Sequence, residues 1–531
     1  MNVLFRSKSI ESLRADAERP ASQLRRTLGT FDLTMFGIGA ILGAGILSSI
    51  GTAAAGNVLD GRTPAGPALV FSILLVAVGC CCTALAYAEL ASMIPVSGSA
   101  YTYAYATMGE LMAWVIGWDL LLEYAVSNVA VAISWGGYAG SFLASVFHVR
   151  LPGWLAMDPR MALRLADEVP AMGIQEKLDA LAGAKAGFLD GGATFMNWAV
   201  LRDAPTLAGF PITLNLPPLL ITCLVTWLAY LGIKESARVN AVMVALKVVL
   251  LLVVAGIGLR FVDPGNWVPF VPCGFKGIQA GAAIIFFAFI GFDAVSTTAE
   301  ECRDPGRDLP RGILLSLVIC TVIYAAVALV VTGMMPYREL AGKADPLAFI
   351  FVQRGHVGLA GVVSLGAVIA TTSALMVYQI AQPRIFLAMS RDGLLGKWFG
   401  KVNPKHGTPS NATVFTGLLV AAPAALLNID EVVELTNIGT LFAFAVVCAA
   451  VMVLRLRRPE LPRRFRMPWV WGLAPGGILS CGWVAWGLPS LTWIRFFVWL
   501  LLGMVVYLAY GCRHSLLRRG GGFTPGNPRS P

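Results

Sequence analysis

The sequence predicts an all-α protein that crosses a membrane many times. Of its 531 residues, 57% are hydrophobic and only 13% are charged, and the mean hydropathy is +0.72. A soluble protein of this length carries about a quarter charged residues. Apolar runs close to the ~20 residues that span a bilayer as a helix recur along the whole chain. Hydrocarbon offers no partner to an open backbone amide, so such continuous runs are expected to be helices rather than barrel strands.

Twelve apolar runs make up the predicted membrane spans. Their predicted bounds are 33–54, 67–91, 111–145, 215–231, 240–262, 278–299, 313–335, 357–382, 411–428, 432–454, 470–489 and 491–511. An even number of spans places both ends of the chain on the same side of the membrane.

Basic residues alternate from one loop to the next, which predicts the orientation of the chain. Arginine and lysine are frequent in the N-terminal arm, in the loops after the even-numbered spans and in the C-terminal tail, and sparse in the short loops opposite. The rule that basic loops stay inside therefore predicts that both termini are cytoplasmic, in a multi-pass protein of the cell membrane. The net charge of +10 is explained by orientation and not by nucleic acid binding. The arm before the first span is long, basic and polar, so no cleavable signal peptide is expected.

Neither a metal site nor a cofactor site is predicted, and no catalytic residue is proposed. Most of the ten cysteines lie inside spans, where they act as small apolar residues, and the four histidines are scattered without the spacing of metal ligands. The chain also lacks the glycine-rich lysine loop that cradles nucleotide phosphates, which excludes direct drive by ATP.

The first span carries an unusual run of glycine in the segment FGIGAILGAGI, residues 36–46. Close helix packing would place its glycines on one face, whereas Gly37, Gly39, Gly43 and Gly45 spread over more than one. Unwinding of the helix explains the spread better, because glycine weakens a helix. Unwound backbone inside a membrane must line a cavity, where its N–H and C=O groups could bind the carboxylate and ammonium of a zwitterion.

The sixth span repeats this pattern, because FFAFIGFDAVSTTAEE is interrupted by Gly291 and followed by Asp293. Two interrupted spans in matching positions of two halves are the sequence signature of an inverted-repeat transporter. Span six comes five spans after span one, an odd number, so the second half enters the membrane from the opposite side. The predicted units are therefore a cytoplasmic arm (1–31), a first inverted repeat (32–262, with an outer loop at about 146–214), a second (263–455), two further spans (456–512) and a cytoplasmic tail (513–531).

Four ionisable residues lie well inside spans: Asp119, Glu123, Lys247 and Asp293. Each costs about 2.5–3.5 kcal/mol near a helix centre, so pairing or function is expected. Asp119 and Glu123 share a helix face, and hydrogen bonding between helices competes with a substrate-facing role there. For Lys247 the alternative to proton coupling is a side chain that reaches the interface, and for Asp293 it is a cap on the second half-helix.

Several segments of the chain resemble amino acid permeases of the amino acid–polyamine–organocation superfamily, most closely its cationic amino acid transporter branch. These segments are FGIGAILGAGI, GWDLLLEYAV, GIKESARVNAVMVALKV, FAFIGFDAVSTTAEECRDPGRDLPRGI and QPRIFLAMSRDGLLGKWFGKVNPKHGTP. The resemblance implies a LeuT-like fold, with two inverted five-helix repeats and two extra helices, twelve transmembrane helices in all.

The resemblance also implies roles for particular residues. The break in span one would comprise Ile41, Leu42, Gly43, Ala44 and Gly45, whose N–H groups hold the substrate carboxylate. The carbonyls of Ile41, Phe287, Ala288 and Ile290 would accept the ammonium, and Phe287 would also cover the substrate. Lys247 matches the lysine that stands in for a sodium ion. Asp293 and Glu123 match acidic positions linked to proton coupling and to the substrate side chain.

Two features depart from the family pattern. Ala44 replaces a frequent threonine, which removes a hydroxyl but keeps the backbone N–H, and the outer loop at 146–214 is longer than expected. A short amphipathic helix around IQEKLDALAGA is the simplest expectation for that loop.

The sequence thus predicts a secondary active transporter that takes up an L-amino acid, neutral or cationic, with a proton. An uncoupled facilitator or exchanger and a sensor that binds but scarcely transports remain open alternatives. Sodium coupling is not expected, because the Lys247 ammonium would occupy the place of the ion. The predicted partners are the amino acid, the proton and the lipid bilayer, and the oligomeric state is left unknown.

Overall fold

The computed structural model describes residues 7–17, 24, 26–56, 63–147, 149, 151–156, 205–207, 210–211, 213–341, 346–427 and 429–517. The regular secondary structure of these residues is helical, apart from a short antiparallel pair, β1 (Thr206–Leu207) and β2 (Phe210–Pro211). The helices are α1 Ile10–Ala17, α2 Thr30–Ile41, α3 Ala44–Ala55, α4 Leu69–Met93, α5 Ala100–Thr107, α6 Glu110–Phe147, α7 Leu216–Leu231, α8 Ile233–Gly258, α9 Gly274–Ile285, α10 Ala294–Thr297, α11 Pro305–Met334, α12 Pro346–Gln353, α13 Val357–Arg391, α14 Ser410–Leu426, α15 Ile429–Arg457, α16 Val470–Trp486, α17 Ser490–Val506 and α18 Cys512–His514.

Each of the twelve predicted spans overlaps one of these helices or an interrupted pair of them. Among the described residues, nine helices are long and apolar enough to cross a membrane, and α7 and α14 are shorter apolar helices. The chain is therefore a polytopic, multi-pass membrane protein. The amphipathic helix predicted around residues 174–181 lies outside the described residues.

The interrupted spans lie at the centre of the bundle, and the last span lies at its periphery. In the most apolar stretch of Gly274–Thr297, 83% of the residues are buried, against 22% in Ser490–His514. The outward side chains of α17 are large and apolar, as lipid contact requires, and include Ile494, Leu501 and Val505.

Both predicted interruptions are present. The first span stops being helical at Leu42 and Gly43, between α2 and α3. In the sixth span, α9 passes into a 3₁₀ turn (Phe286–Phe289), then an extended residue, Ile290, and then Gly291 at φ +118°. A side chain rarely adopts that φ value, which accounts for glycine at this position.

The two breaks touch and cross in opposite directions. A Cβ atom on Gly45, after the first break, would lie 2.3 Å from the Cα atom of Ala288, which precedes Gly291. A Cβ atom on Gly291 would lie 2.6 Å from the Cβ atom of Ala40, which precedes the first break. Residues before one break therefore lie against residues after the other, which makes the two spans antiparallel, as the odd offset of five between spans one and six requires.

Candidate functional site

Lys247 of α8 holds the first break from one side. Its ammonium donates to the carbonyl oxygens of Gly39 (2.8 Å) and Leu42 (2.7 Å) and contacts the hydroxyl of Ser373 on α13 at 3.3 Å. The side chain is fully buried, so it does not reach the interface. Three acceptors match the three N–H donors of an ammonium, and all three are neutral. One positive charge is thus fixed against backbone that the break has freed.

Tyr324 of α11 joins the two breaks from the other side. Its hydroxyl lies 2.5 Å from the carbonyl oxygen of Ile41 and 2.8 Å from that of Ala288. A tyrosine hydroxyl has a single proton to donate, so it cannot satisfy both carbonyls at once. At the crossing point, two backbone acceptors therefore share this donor, and the Ile41 carbonyl also accepts from the N–H of Gly43.

The start of α3 supplies hydrogen-bond donors opposite these carbonyl acceptors. Gly43 precedes this helix and has no side chain with which to cap it, and its own N–H is bonded to Ile41. The next N–H groups belong to the first turn of α3, where they point back into the break and carry the partial positive charge of a helix N-terminus. Carbonyl acceptors and amide donors therefore meet within a few residues of one another.

Among the glycines of the first span, one serves the unwinding of the helix and three serve its close packing. Gly43 lies in the break, whereas Gly37, Gly39 and Gly45 lie inside α2 and α3. Each of these three is in close contact with a different neighbour, namely Ser316, Asn240 and Ala288. The glycines spread around the helix because it is packed closely on several sides, and the break is shorter than the predicted range 41–45.

Three buried carboxyl groups lie next to this crossing. Asp293 accepts a hydrogen bond from the Tyr124 hydroxyl at 2.5 Å and makes no side-chain cap on α10. Glu123, adjacent to Tyr124 on α6, lies within electrostatic range of Asp293 and of Asp119. Within the described residues, both oxygens of Asp119 and Glu123 and one oxygen of Asp293 have no hydrogen-bond partner. A Cβ atom on Gly439 would lie 2.7 Å from Asp119, so this carboxyl faces α15.

The predicted site residues thus form two adjoining groups. Ile41, Leu42, Gly43, Gly45, Ala288 and Lys247 meet at the crossing, and Phe287 and Ile290 are buried beside it. Glu123 and Asp293 form the acidic group. Only the backbone of Ala44 is described.

Sequence reasoning missed three hydroxyl groups of this site. Tyr324 binds both breaks, Tyr378 donates to the Ile290 carbonyl at 3.2 Å, and Ser373 contacts Lys247. Each lies in an apolar run, where hydropathy does not indicate which face of a helix is turned inward.

We expect Gly45→Ala to destabilise the protein, because the added methyl group would meet main-chain atoms of Ala288 at 2.3 Å. Backbone cannot give way as a flexible side chain does, so the cost should exceed the usual overpacking penalty of about 1–3 kcal/mol. Thermal unfolding of the purified protein in detergent measures it. The control is Gly137→Ala in α6, where a Cβ atom meets nothing within 4 Å. Equal stability of the two variants would contradict the close crossing.

Known proteins resemble this chain over the region that contains the candidate site. A sequence model of the family described as amino acid permease matches residues 28–510, which include both breaks, Lys247 and the acidic group. The chain is 42% identical over 517 residues to the branched-chain amino acid permease BcaP of Bacillus subtilis (strain 168), covering 97% of this chain and 99% of that protein.

Two further relatives are named for other substrates. The methylthioribose transporter of Bacillus subtilis (strain 168) is 40% identical over 522 residues, covering 98% of this chain and all of that protein. The vacuolar cationic amino acid transporter 4 of Arabidopsis thaliana is 33% identical over 466 residues, covering 87% of this chain and 68% of that protein.

Proposed function

The chain belongs to the amino acid permease family, and from this premise we propose that it is a secondary active transporter that takes up an L-amino acid together with a proton. The family and its relatives are transporters and not enzymes.

The contact of Tyr324 with both breaks is the observation that carries the proposal. The Tyr324 hydroxyl brings the carbonyls of Ile41 and Ala288 to one point, and the Ile41 carbonyl also accepts from the Gly43 N–H. A carbonyl oxygen has two lone pairs and an α-ammonium has three donors, so a bound amino acid would donate to both carbonyls beside Tyr324. Its carboxylate would face the first turn of α3, where uncapped N–H groups and the helix dipole favour an anion. Phe287 would cover the substrate.

The architecture we propose has twelve membrane crossings, with two inverted five-helix repeats of the LeuT type and two peripheral helices. The overlap of the twelve predicted spans with helices and the antiparallel crossing of the breaks support it. The basic residues at the end of the bundle that carries α5 favour a cytoplasmic position for this end and for both termini, in the cell membrane. Alternating access would then arise from rocking of one set of helices against the other about the breaks.

For coupling, we propose that protonated Lys247 stabilises the binding-competent state through its bonds to Gly39 and Leu42. Loss of that proton to the inside would loosen α2 and release the substrate. Asp293 would take part in the same proton transfer, and Glu123 would face the substrate side chain.

The relatives set the substrate classes worth testing, which are branched-chain amino acids, cationic amino acids and methylthioribose. The proposed site needs both an ammonium and a carboxylate, which favours an amino acid over methylthioribose. The carboxyl of Glu123, which lies beside the Thr440 hydroxyl, suits a cationic side chain, and the apolar surroundings of Phe287 suit a branched one.

A ligand screen and an uptake assay test the proposal. Thermal shifts of the purified protein with the twenty amino acids and methylthioribose should identify an L-amino acid, because a ligand that binds the native state raises its stability. Uptake of that ligand into proteoliposomes should rise with an inward proton gradient and be unchanged when choline replaces sodium. An uptake rate that is the same with and without the proton gradient would establish the competing proposal, an uncoupled facilitator or exchanger. Binding without uptake would indicate a sensor.

Tyr324→Phe should weaken substrate binding about tenfold, because loss of the hydroxyl removes about 1–1.5 kcal/mol of hydrogen bonding that positions the two breaks. Titration of the identified amino acid by thermal shift measures the affinity. Tyr138→Phe is the matched control, since its hydroxyl donates to the carbonyl of Leu47 at 2.7 Å, one turn beyond the break. The role of Tyr324 would be refuted by equal affinities in the two variants.

A further inference from the structure

A line of buried hydroxyl groups leads away from Asp293 toward the α5 end of the bundle. Ser296, one turn after Asp293, contacts the carbonyl oxygen of Asp293 at 2.6 Å and the hydroxyl of Ser99 at 3.0 Å. Tyr103 of α5 faces Ser296, and Tyr87 of α4 faces Ser99. All four side chains are fully buried.

Several atoms along this line have no partner. Among the described residues, the Ser97 hydroxyl and one oxygen of Asp293 complete no hydrogen bond, and the Tyr103 and Tyr87 hydroxyls have only loose contacts, with Ser296 and Ser99. A buried polar atom left in this way costs about 1–3 kcal/mol, and most such atoms in folded proteins are paired with protein or ordered water. Open or loosely bonded polar atoms around one path therefore indicate sites for bridging water, which needs two or more polar neighbours.

The backbone at the middle of the line is strained. Ser99 has φ +53° and follows Gly98 at φ +122°. A side chain in the left-handed region costs on the order of 1–3 kcal/mol and tends to persist where function requires it. Here the strained turn sets the Ser99 hydroxyl against Ser296.

The line ends at charged groups near the surface of the bundle. The backbone N–H of Ser97 donates to the Glu300 carboxylate at 2.9 Å. One guanidinium nitrogen of Arg391 donates to both oxygens of the same carboxylate, at 2.8 and 3.0 Å. The side chains of Glu300 and Arg391 are 5% and 11% exposed, so this pair lies at the edge of solvent.

We propose that this line, completed by bridging water, is the route by which the coupled proton leaves Asp293 for the cytoplasm. The inference rests on the proposed proton coupling and extends it by assigning Ser296, Ser99, Tyr103 and Tyr87 as positioning residues for proton release.

The proton balance along the route is simple. The Asp293 carboxyl gives its proton to an adjacent hydroxyl or water and becomes a carboxylate. Each hydroxyl takes a proton on its oxygen and passes its own proton forward, so it ends unchanged. Water beside Glu300 carries the proton away. No other bond forms or breaks.

Other charged and titratable groups surround Asp293, where the route begins, and Glu300, where it ends, and some of them could take the proton instead. Facing Asp293 are Tyr124 and Glu123 of α6, Tyr87 of α4, Tyr103 of α5 and Tyr378 of α13. Facing Glu300 are Arg391 and the neighbouring Glu301, which pairs with Arg384. The competing exit runs along α6, through Glu123 and Asp119.

The test uses Ser296→Ala, Tyr103→Phe and their double variant in proteoliposomes, because these changes leave the binding groups at the breaks in place. Proton-driven accumulation of the identified amino acid, together with proton entry read from a trapped pH dye, should fall at least tenfold in the double variant. Exchange of internal for external amino acid, which needs no net proton release, should stay within twofold of wild type.

One matched control and one variant of the competing exit complete the design. Ser316→Ala removes a buried hydroxyl that also bonds three residues back, to Ile313 at 2.9 Å, and should leave both assays unchanged. Undiminished accumulation in the double variant would overturn the route, as would loss of exchange in parallel with accumulation. So would loss of accumulation in Asp119→Asn alone. Absence of any gradient effect in wild type would instead defeat the proposed coupling itself.

Discussion

Lys247→Ala should abolish proton-driven uptake while the protein still folds and inserts. The ammonium is the group that binds the freed carbonyls of Gly39 and Leu42, and a methyl group cannot replace those bonds. Each bond from a charged donor contributes about 1.5–3 kcal/mol, so loss of both removes the main restraint on α2 at the break. Accumulation of the amino acid under an imposed pH gradient measures the effect.

A second variant separates coupling from packing. Lys247→Met keeps the unbranched chain, one atom shorter, and removes the charge, so it should fold at least as well as Lys247→Ala and be equally inactive in accumulation. Lys276→Ala, at an exposed lysine near the start of α9, is the control for loss of positive charge and should accumulate substrate as wild type does. Full accumulation by either Lys247 variant would refute the coupling mechanism.

The sequence was sufficient to locate the breaks and insufficient to reveal what holds them. Glycine at positions 43 and 291 marks where helix ends, because conformational freedom is a local property of the residue. Which neighbour lies against Gly45 or Gly39 is decided by packing between helices that are far apart in the chain. The close approach of Ala288 and Asn240 therefore has no local sequence signal.

The same limit explains the missed hydroxyl groups and charges. Tyr324 stands in the apolar run of span seven, and only the rotation of α11 turns it toward both breaks. Lys247 and Asp293 could be singled out because a charge inside hydrocarbon is costly wherever it points. Arg384 and Glu301 lie just beyond the predicted spans 357–382 and 278–299, and nothing local marks their pairing, because it joins segments 83 residues apart.

The ion pair of Arg384 and Glu301 ties both interrupted spans to α13. Arg384 donates to the two carboxylate oxygens at 2.7 and 3.1 Å, and the two side chains are 3% and 0% exposed. The carbonyl of Glu301 accepts from the backbone N–H groups of Thr27 and Leu28, which lead into α2. The pair therefore fixes the start of the first broken span and the end of the second.

Arg384→Met should destabilise the protein strongly, because it leaves the Glu301 carboxylate buried without its partner. Breaking one side of a buried ion pair costs roughly 3–5 kcal/mol, whereas an exposed pair contributes about 0–1 kcal/mol. The control is Arg464→Met, whose pair with Asp304 spans 2.8 Å at 71% and 47% exposure. The apparent unfolding temperature in detergent should fall far more in Arg384→Met than in Arg464→Met.

The double variant Arg384→Met with Glu301→Gln decides whether buried charge is the cause. Removing the carboxylate's charge as well should restore much of the lost stability, because no uncompensated ion then remains inside. If the double variant is as unstable as Arg384→Met alone, the cost arises from lost packing of the arginine stem and its contact with the carbonyl of Ile380. If Arg384→Met itself unfolds at the temperature of Arg464→Met, the pair does not hold the broken spans to α13.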